Sequence, residues 1–162
     1  MITVSNTSPV SNLAMIGRLD LMRAIYGKVL IPVAVRDELG ALRHEAASSA
    51  IREAESNGWL ETVSVPNAGL ALALREELDA GEAEAIALAV ERKARIVLDE
   101  LDGRLVARRV GLSVRGVLWV LRQGKEMGVL SSLKDEIARL REEAHFWVSP
   151  KLEREFLRDS GE

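Results

Sequence analysis

Short aliphatic, β-branched runs alternate with longer stretches of helical periodicity along the whole chain, an order that restricts it to an α/β fold with a mostly parallel central sheet. The runs at 2–5, 29–31, 60–65, 96–98 and 113–115 read as strands. Helical spacing or composition marks 7–17, 19–27, 32–42, 46–57, 82–91, 104–110 and 116–127. A helix from Ser131 or Ser132 to 143 follows, and Ser149-Pro150 opens a last one. Thr7-Ser8-Pro9 offers a hydroxyl cap and a proline at the first helical position, and Pro32 also suits a first turn, where a missing N–H costs nothing. No repeat or linker-like segment interrupts this order, and 162 residues suffice for one main core. Only 4% of residues are aromatic, so the core is aliphatic. In sheets of this kind ligands sit beyond the carboxyl ends of the strands, near the point where the strand order reverses.

The residue inventory narrows the chemistry. There is no cysteine, which excludes a disulfide framework and a thiolate metal site, and two histidines (His44, His145) without ligand spacing argue against an imidazole zinc site. A bound metal therefore needs carboxylates. No Gly-x-Ser-x-Gly or phosphate-loop pattern is present. No apolar run reaches a membrane-spanning length and the start lacks a basic, apolar signal pattern, so a cytoplasmic location with no membrane partner is expected. The formal charge of −3 weighs against an acidic partner, but it is unevenly spread. Between Arg92 and Lys125 nine basic residues stand against Asp99, Glu100 and Asp102, a local excess of +6. That window is either a solvated helix face or a surface for phosphates.

Acids cluster at the predicted strand ends. Asp99-Glu100 follows the run at 96–98, and Asn6-Thr7 follows the first strand. Glu38 lies three after Val35 and four before Leu42, and Glu82 lies four before Ile86 and eight before Val90, so both align with apolar stripes. A carboxylate on an apolar face is costly unless paired or bound to a cation. Oxygen donors without histidine or cysteine suit Mg²⁺ or Mn²⁺, and hydrolysis of phosphodiesters is chemistry such ions support. Each acid also has an ordinary reading: Glu82 as a first-turn carboxylate on the helix dipole, Glu38 as an arginine's partner, and 99–102 as an Asx-rich turn.

Taken together, Val4-Ser-Asn-Thr-Ser-Pro9, Ile31-Pro-Val-Ala-Val-Arg-Asp-Glu-Leu39, Gly81-Glu-Ala-Glu-Ala-Ile-Ala-Leu-Ala89, Val97-Leu-Asp-Glu-Leu-Asp-Gly-Arg104 and Gly116-Val-Leu-Trp-Val-Leu121 resemble a PIN-domain protein, the superfamily of the VapC-type toxin ribonucleases. The likeness is greatest to a bacterial and archaeal branch described as nucleic-acid-binding, and its order and spacing hold over residues 2 to 130. The resemblance implies a three-layer α/β/α domain over 1–130, with the helices of 131–162 packed on the same domain. It implies a metal-dependent nuclease whose acids meet at the carboxyl edge of the sheet. Carried over by position, the metal ligands fall on Asn6, Glu38, Glu82 and Asp99, and the catalytic acids on Glu38, Glu82, Asp99 and Glu100. Thr7 supports the site, and Arg104 lies beside the metals to meet a phosphate. Position 6 departs from the pattern, for the family's aspartate is an asparagine here; an amide oxygen can coordinate a hard cation but brings no charge.

Two functions follow as expectations. In one, Glu38, Glu82, Asp99 and Glu100 hold one or two Mg²⁺ or Mn²⁺ ions and orient a water, Asn6 supplies a neutral ligand or a supporting hydrogen bond, and Arg104, Arg108 and Arg109 bind RNA. The resemblance adds the role of toxin in a toxin–antitoxin pair, with an antitoxin protein as partner, and a homodimer. In the other, Asn6 impairs the centre and the chain is an RNA- or protein-binding module. The aromatic residues Trp119, Phe146, Trp147 and Phe156 either fill the domain's own core or form a dimer interface.

Overall fold

The sheet grows outward from its first strand in both directions. A computed structural model describes residues 1–162. Strands β1 (Thr3–Ser5), β2 (Val29–Pro32), β3 (Leu60–Val63), β4 (Arg95–Val97) and β5 (Val114–Arg115) form one sheet in the order β3-β2-β1-β4-β5. Every pairing is parallel, as the alternation of short runs and helices requires. The helices are α1 (Thr7–Met15), α2 (Asp20–Tyr26), α3 (Val33–Gly40), α4 (Glu45–Ser56), α5 (Ala68–Leu74), α6 (Ala80–Arg92), α7 (Leu101–Arg109), α8 (Val117–Glu126), α9 (Leu133–Glu143) and α10 (Pro150–Asp159).

Connections from β1 to β2 and from β2 to β3 run toward one edge, and that from β4 to β5 runs toward the other. Right-handed crossovers place α1, α2 and α4 on one face and α6 and α7 on the opposite one, while α3, directly after β2, packs chiefly against α6. Helix α6 packs on β1, β2 and β4, while α2 lies on β2 and α4 on β3, giving three layers. Alanines 83, 85, 87 and 89 of α6 are buried along with Ile86 and Leu88, and their small side chains let the helix sit close to the sheet. All three residues of β1 are buried, the condition of a parallel strand covered on both faces. The core is aliphatic; Leu13, Ile31, Ile86, Ile96, Leu98 and Leu121 are among its largest fully buried side chains.

The C-terminal helices extend the same core. Leu133, Ile137 and Leu140 of α9 are buried in one cluster with Val4 and Ile96. Glu136 accepts from Arg18 at 3.1 Å and 2.7 Å, tying α9 to the turn before α2. The Glu162 carboxylate accepts from the N–H groups of Leu133 (2.7 Å) and Lys134 (3.3 Å) at the start of α9. Those bonds and Lys125 hold its pKa below the usual range against its partial burial.

Three local readings change. Helix α1 starts at Thr7 with Asn6 at the cap position, because the Thr7 and Ser8 hydroxyls are taken by distant carboxylates and cap nothing. Pro32 ends β2 and precedes α3 instead of opening it. Helix α7 begins at Leu101, three residues before the predicted start, so Asp102 and Gly103 are helical and no separate turn exists there. Helix α5, capped by the Asn67 side chain, lies in a stretch with no predicted element. His44 is the cap of α4, its Nδ1 accepting from Ala47 N–H at 3.1 Å.

Candidate active site

The strand order reverses between β1 and β4, and their register pairs Ser5 with Val97. The residues just beyond, Asn6 and Leu98-Asp99-Glu100, therefore emerge side by side at the carboxyl edge. Asn6 is buried; its backbone N–H donates to Val97 O at 3.0 Å and its Nδ2 donates to Glu100 Oε2 at 3.2 Å. Its Oδ1 is buried without a partner. Glu100 also accepts from the Ser8 hydroxyl, which the sequence reading missed although Ser8 adjoins Thr7.

Asp99 turns Oδ1 to the Val117 N–H at the start of α8, 3.0 Å away, and its Oδ2 is the second buried oxygen left without a partner. Burial pushes the Asp99 carboxyl up to about 6; Glu100 adds to the shift, and the Val117 N–H and Arg104 oppose it. Arg104 lies alongside, its Nη1 donating to Leu98 O at 2.9 Å. A Cβ at Gly116 would stand 2.5 Å from Asp99 Oδ1 and 2.8 Å from Arg104 Nη1, so this contact needs glycine.

Glu38 and Glu82 reach the edge from α3 and α6. Glu38 accepts from the Thr7 hydroxyl and, through Oε1, from the Gly81 N–H at 3.2 Å, yet the residue is exposed. Glu82 is buried and forms a capping box with Asp79: its N–H donates to Asp79 Oδ1 at 2.8 Å and its Oε2 accepts from Asp79 N–H at 3.3 Å. The ordinary first-turn reading of Glu82 therefore holds, and an electrostatic one holds beside it. Burial, then Asp79, Glu100 and Asp102, push its carboxyl up to about 7.

As the side chains stand, no three carboxylates or histidines surround one point closely enough to hold a metal ion. The donor chemistry nevertheless fits a hard cation: the set is oxygen throughout, two of its buried oxygens lack partners, and two carboxyls are raised, chiefly by burial and then by neighbouring acids such as Glu100. Asn6, Asp99 and Glu100 gather at the ends of β1 and β4; Glu38 joins through Thr7, and Glu82 through its neighbour Gly81. The model of a family described as a PIN domain matches residues 2–162. This chain belongs to the PIN domain family. No curated protein matches it. PIN domains are nuclease-type folds that generally depend on divalent metal, in keeping with the oxygen donors at this edge.

Of the arginines singled out from the sequence, Arg104 and Arg108 line a cleft of about 570 Å³ that begins at Asp99. Arg109 forms a 2.8 Å ion pair with Glu77 and does not line that cleft. Arg115 does, and its position at the end of β5 was the signal that could have found it. No helix of this PIN domain is long and apolar enough to cross a membrane.

Proposed function

We propose that the chain is a metal-dependent endoribonuclease in which Glu38, Glu82 and Asp99, with Asn6 as a neutral oxygen donor, hold one or two Mg²⁺ or Mn²⁺ ions. The observation that carries this reading is the pair of buried, partnerless oxygens, Asn6 Oδ1 and Asp99 Oδ2, at the ends of adjacent strands. Buried oxygens of this kind cost free energy until something positive meets them. When bound, such an ion supplies orientation of a water and offsets charge on the phosphodiester oxygens.

The chain's own residues do the rest. Asn6 and Ser8 fix Glu100, whose carboxylate is the acceptor for the proton of an attacking water. Thr7 and the Gly81 N–H hold Glu38 in place. Arg104 and Arg108 meet the RNA backbone, fixing its position without reading its sequence. Arg109 joins them by exchanging Glu77 for a phosphate, an exposed pair that is cheap to break.

Labelled RNA incubated with the protein and Mn²⁺ tests the proposal. Cleavage by the native chain, abolished by chelation and reduced at least about a hundredfold in Asp99→Asn, is expected. A native chain that cleaves nothing while Asn6→Asp cleaves would overturn it in favour of a binding module with an impaired centre. That second reading is favoured by the donation from Asn6 Nδ2 to Glu100, a role an aspartate could not fill. From the family resemblance the proposal also takes a toxin role restrained by a small antitoxin, a homodimer and a cytoplasmic location. Growth arrest on expression, its relief by a co-expressed partner, and the mass in solution are the corresponding measurements.

A further inference from the structure

The cleft that starts at Asp99 has an aromatic wall, with Phe146, Trp147 and Phe156 from the C-terminal segment, and a positive one. Arg104, Arg108 and Arg115 make up the positive wall. None of the three forms an ion pair with a carboxylate, although Arg109, one step further along α7, pairs with Glu77. Burial first, then Arg108 and, less strongly, Arg115, hold the Arg104 pKa below its ordinary value, with Asp99 opposing. Three guanidinium groups thus face one opening and repel one another, a state that costs free energy until an anion enters.

Arg115 is exposed, and an exposed arginine ordinarily spreads over many rotamers. This one is held without a carboxylate. Its guanidinium lies 5.4 Å over the Trp119 ring, and its Nη1 donates to Val114 O at 3.2 Å. Trp119 is fixed in turn: it stacks on Tyr26 with centroids 6.2 Å apart and an interplanar angle of 22°, and Arg95 lies 4.7 Å over Tyr26. Arg95 Nε donates at 2.7 Å to the hydroxyl of Thr3, a fully buried residue of β1. The row Thr3-Arg95-Tyr26-Trp119-Arg115 therefore joins the middle strand of the sheet to the cleft. A ring face attracts a guanidinium without neutralising it, whereas a carboxylate would cancel the charge. Arg115 is both placed and free.

We propose that Trp119 is a positioning residue: its ring holds Arg115 charged and unpaired at the cleft, where that guanidinium takes a backbone phosphate beside the one on Arg104. The inference rests on the reading that the acidic edge handles a phosphodiester. The backbone puts Arg115 within reach. Gly116, next in the chain, lies so close to Asp99 and Arg104 that a Cβ there would stand 2.5 Å from Asp99 Oδ1 and 2.8 Å from Arg104 Nη1. Arg115 thus enters the cleft from the end of β5, next to those two groups. A guanidinium meets phosphate oxygens with a planar fork of N–H groups, and one already fixed against a ring loses little rotamer freedom in doing so.

Binding in the presence of a chelator separates this from cleavage. The anisotropy of a short labelled RNA is measured over a range of salt with the native chain, Arg115→Met, Trp119→Leu, Trp119→Phe and the double variant of Arg115→Met with Trp119→Leu. Arg115→Met, at an exposed side chain, is expected to weaken binding about tenfold and to lower the salt slope of the binding constant by about one, the sign of a lost phosphate contact. Trp119→Leu keeps the arginine and removes the ring; it should weaken binding about fivefold, and Trp119→Phe should stay within about twofold of the native chain. In the Arg115→Met background Trp119→Leu should cost less than about twofold, for no guanidinium is left to place. A Trp119 that only supports the fold would cost the same factor in both backgrounds, and that result overturns the proposal. So does an unchanged salt slope in Arg115→Met. With Mn²⁺, the loss of kcat/KM in Arg115→Met and in Trp119→Leu should match the loss of binding and fall on KM. A native chain that shows this binding pattern and cleaves nothing in Mn²⁺ sinks the nuclease reading and leaves Trp119 and Arg115 in their roles; cleavage with a KM unmoved in Arg115→Met does the reverse.

Discussion

Asn6 Nδ2 donates to Glu100 Oε2 at 3.2 Å, so the one uncharged member of the acidic edge clamps a charged one. Beside it the Ser8 hydroxyl donates to the same carboxylate. An amide at position 6 thus does two opposite things: it presents a donor to Glu100 and leaves an acceptor, Oδ1, buried and unused. An aspartate could only accept.

Asn6→Asp therefore exchanges a hydrogen bond for a repulsion. In the metal-free protein the new carboxyl meets Glu100 as a like group in place of a donor, and a loss of about 1–3 kcal/mol of stability is expected. Added Mn²⁺ should raise the melting temperature of the variant more than that of the native chain, since the extra charge favours cation binding. Thermal unfolding with and without Mn²⁺ measures both; a variant as stable as the native chain without metal would show that Asn6 is not a clamp.

Gly81→Ala should separate site from fold. A Cβ there would stand 2.5 Å from Glu38 Oε2 and 2.7 Å from Oε1, so the Glu38 side chain must swing away. That carboxylate is the exposed end of a flexible chain, and alanine is the better helix residue within α6 by up to about 1 kcal/mol. Stability should stay the same or rise, while any Mn²⁺-dependent activity or Mn²⁺ stabilisation that uses Glu38 falls at least about tenfold. Paired melting and metal-titration curves decide it.

The strands were legible because each is a short apolar run ended by a polar residue, and with them came the convergence of Asn6 and Asp99, which needs only two neighbouring parallel strands. Helical periodicity placed Glu82 correctly, in line with Ile86 on a buried face. It placed Glu38 on the side of Val35 but could not give depth: Val35 is buried and Glu38 exposed at the sheet edge. The capping of α1 differs from the sequence expectation because Thr-Ser-Pro is a local capping signal. The hydroxyls' true partners lie 31 and 92 residues away, at distances no local rule reaches. Arg109 looked equivalent to Arg108 in sequence, yet one helical step of about 100° turns it from the cleft to Glu77.

The metal-free protein should lose stability as pH rises. Glu82 and Asp99 titrate at about 7 and about 6 when folded, against ordinary values of 4.5 and 3.8. Between those limits the native state binds more protons than the unfolded chain, so its stability falls across pH 4 to 7 and levels off above. A melting temperature several degrees lower at pH 8 than at pH 5 is expected in chelator, with a shallower slope in Glu82→Gln. Mn²⁺ should reverse the trend, for at high pH it no longer competes with protons. An unchanged slope in Glu82→Gln would remove that carboxyl from the account.

Glu136 sets how firmly the last two helices belong to the core. It is buried on α9, accepts two hydrogen bonds from Arg18, and lies 3.4 Å from Arg139. Removing the carboxylate strands the part-buried Arg18 guanidinium and opens a gap beside Ile137 and Leu140, which are fully buried. Glu136→Ala should cost about 3 kcal/mol, or about 6–12 °C in melting temperature for a chain of this length. Because α9 shares one hydrophobic cluster with β1 and β4, the loss should appear as one shifted transition, seen alike by far-ultraviolet circular dichroism and by tryptophan fluorescence. Two separated transitions would mean that α9 and α10 melt by themselves, and the aromatic wall of the cleft with them.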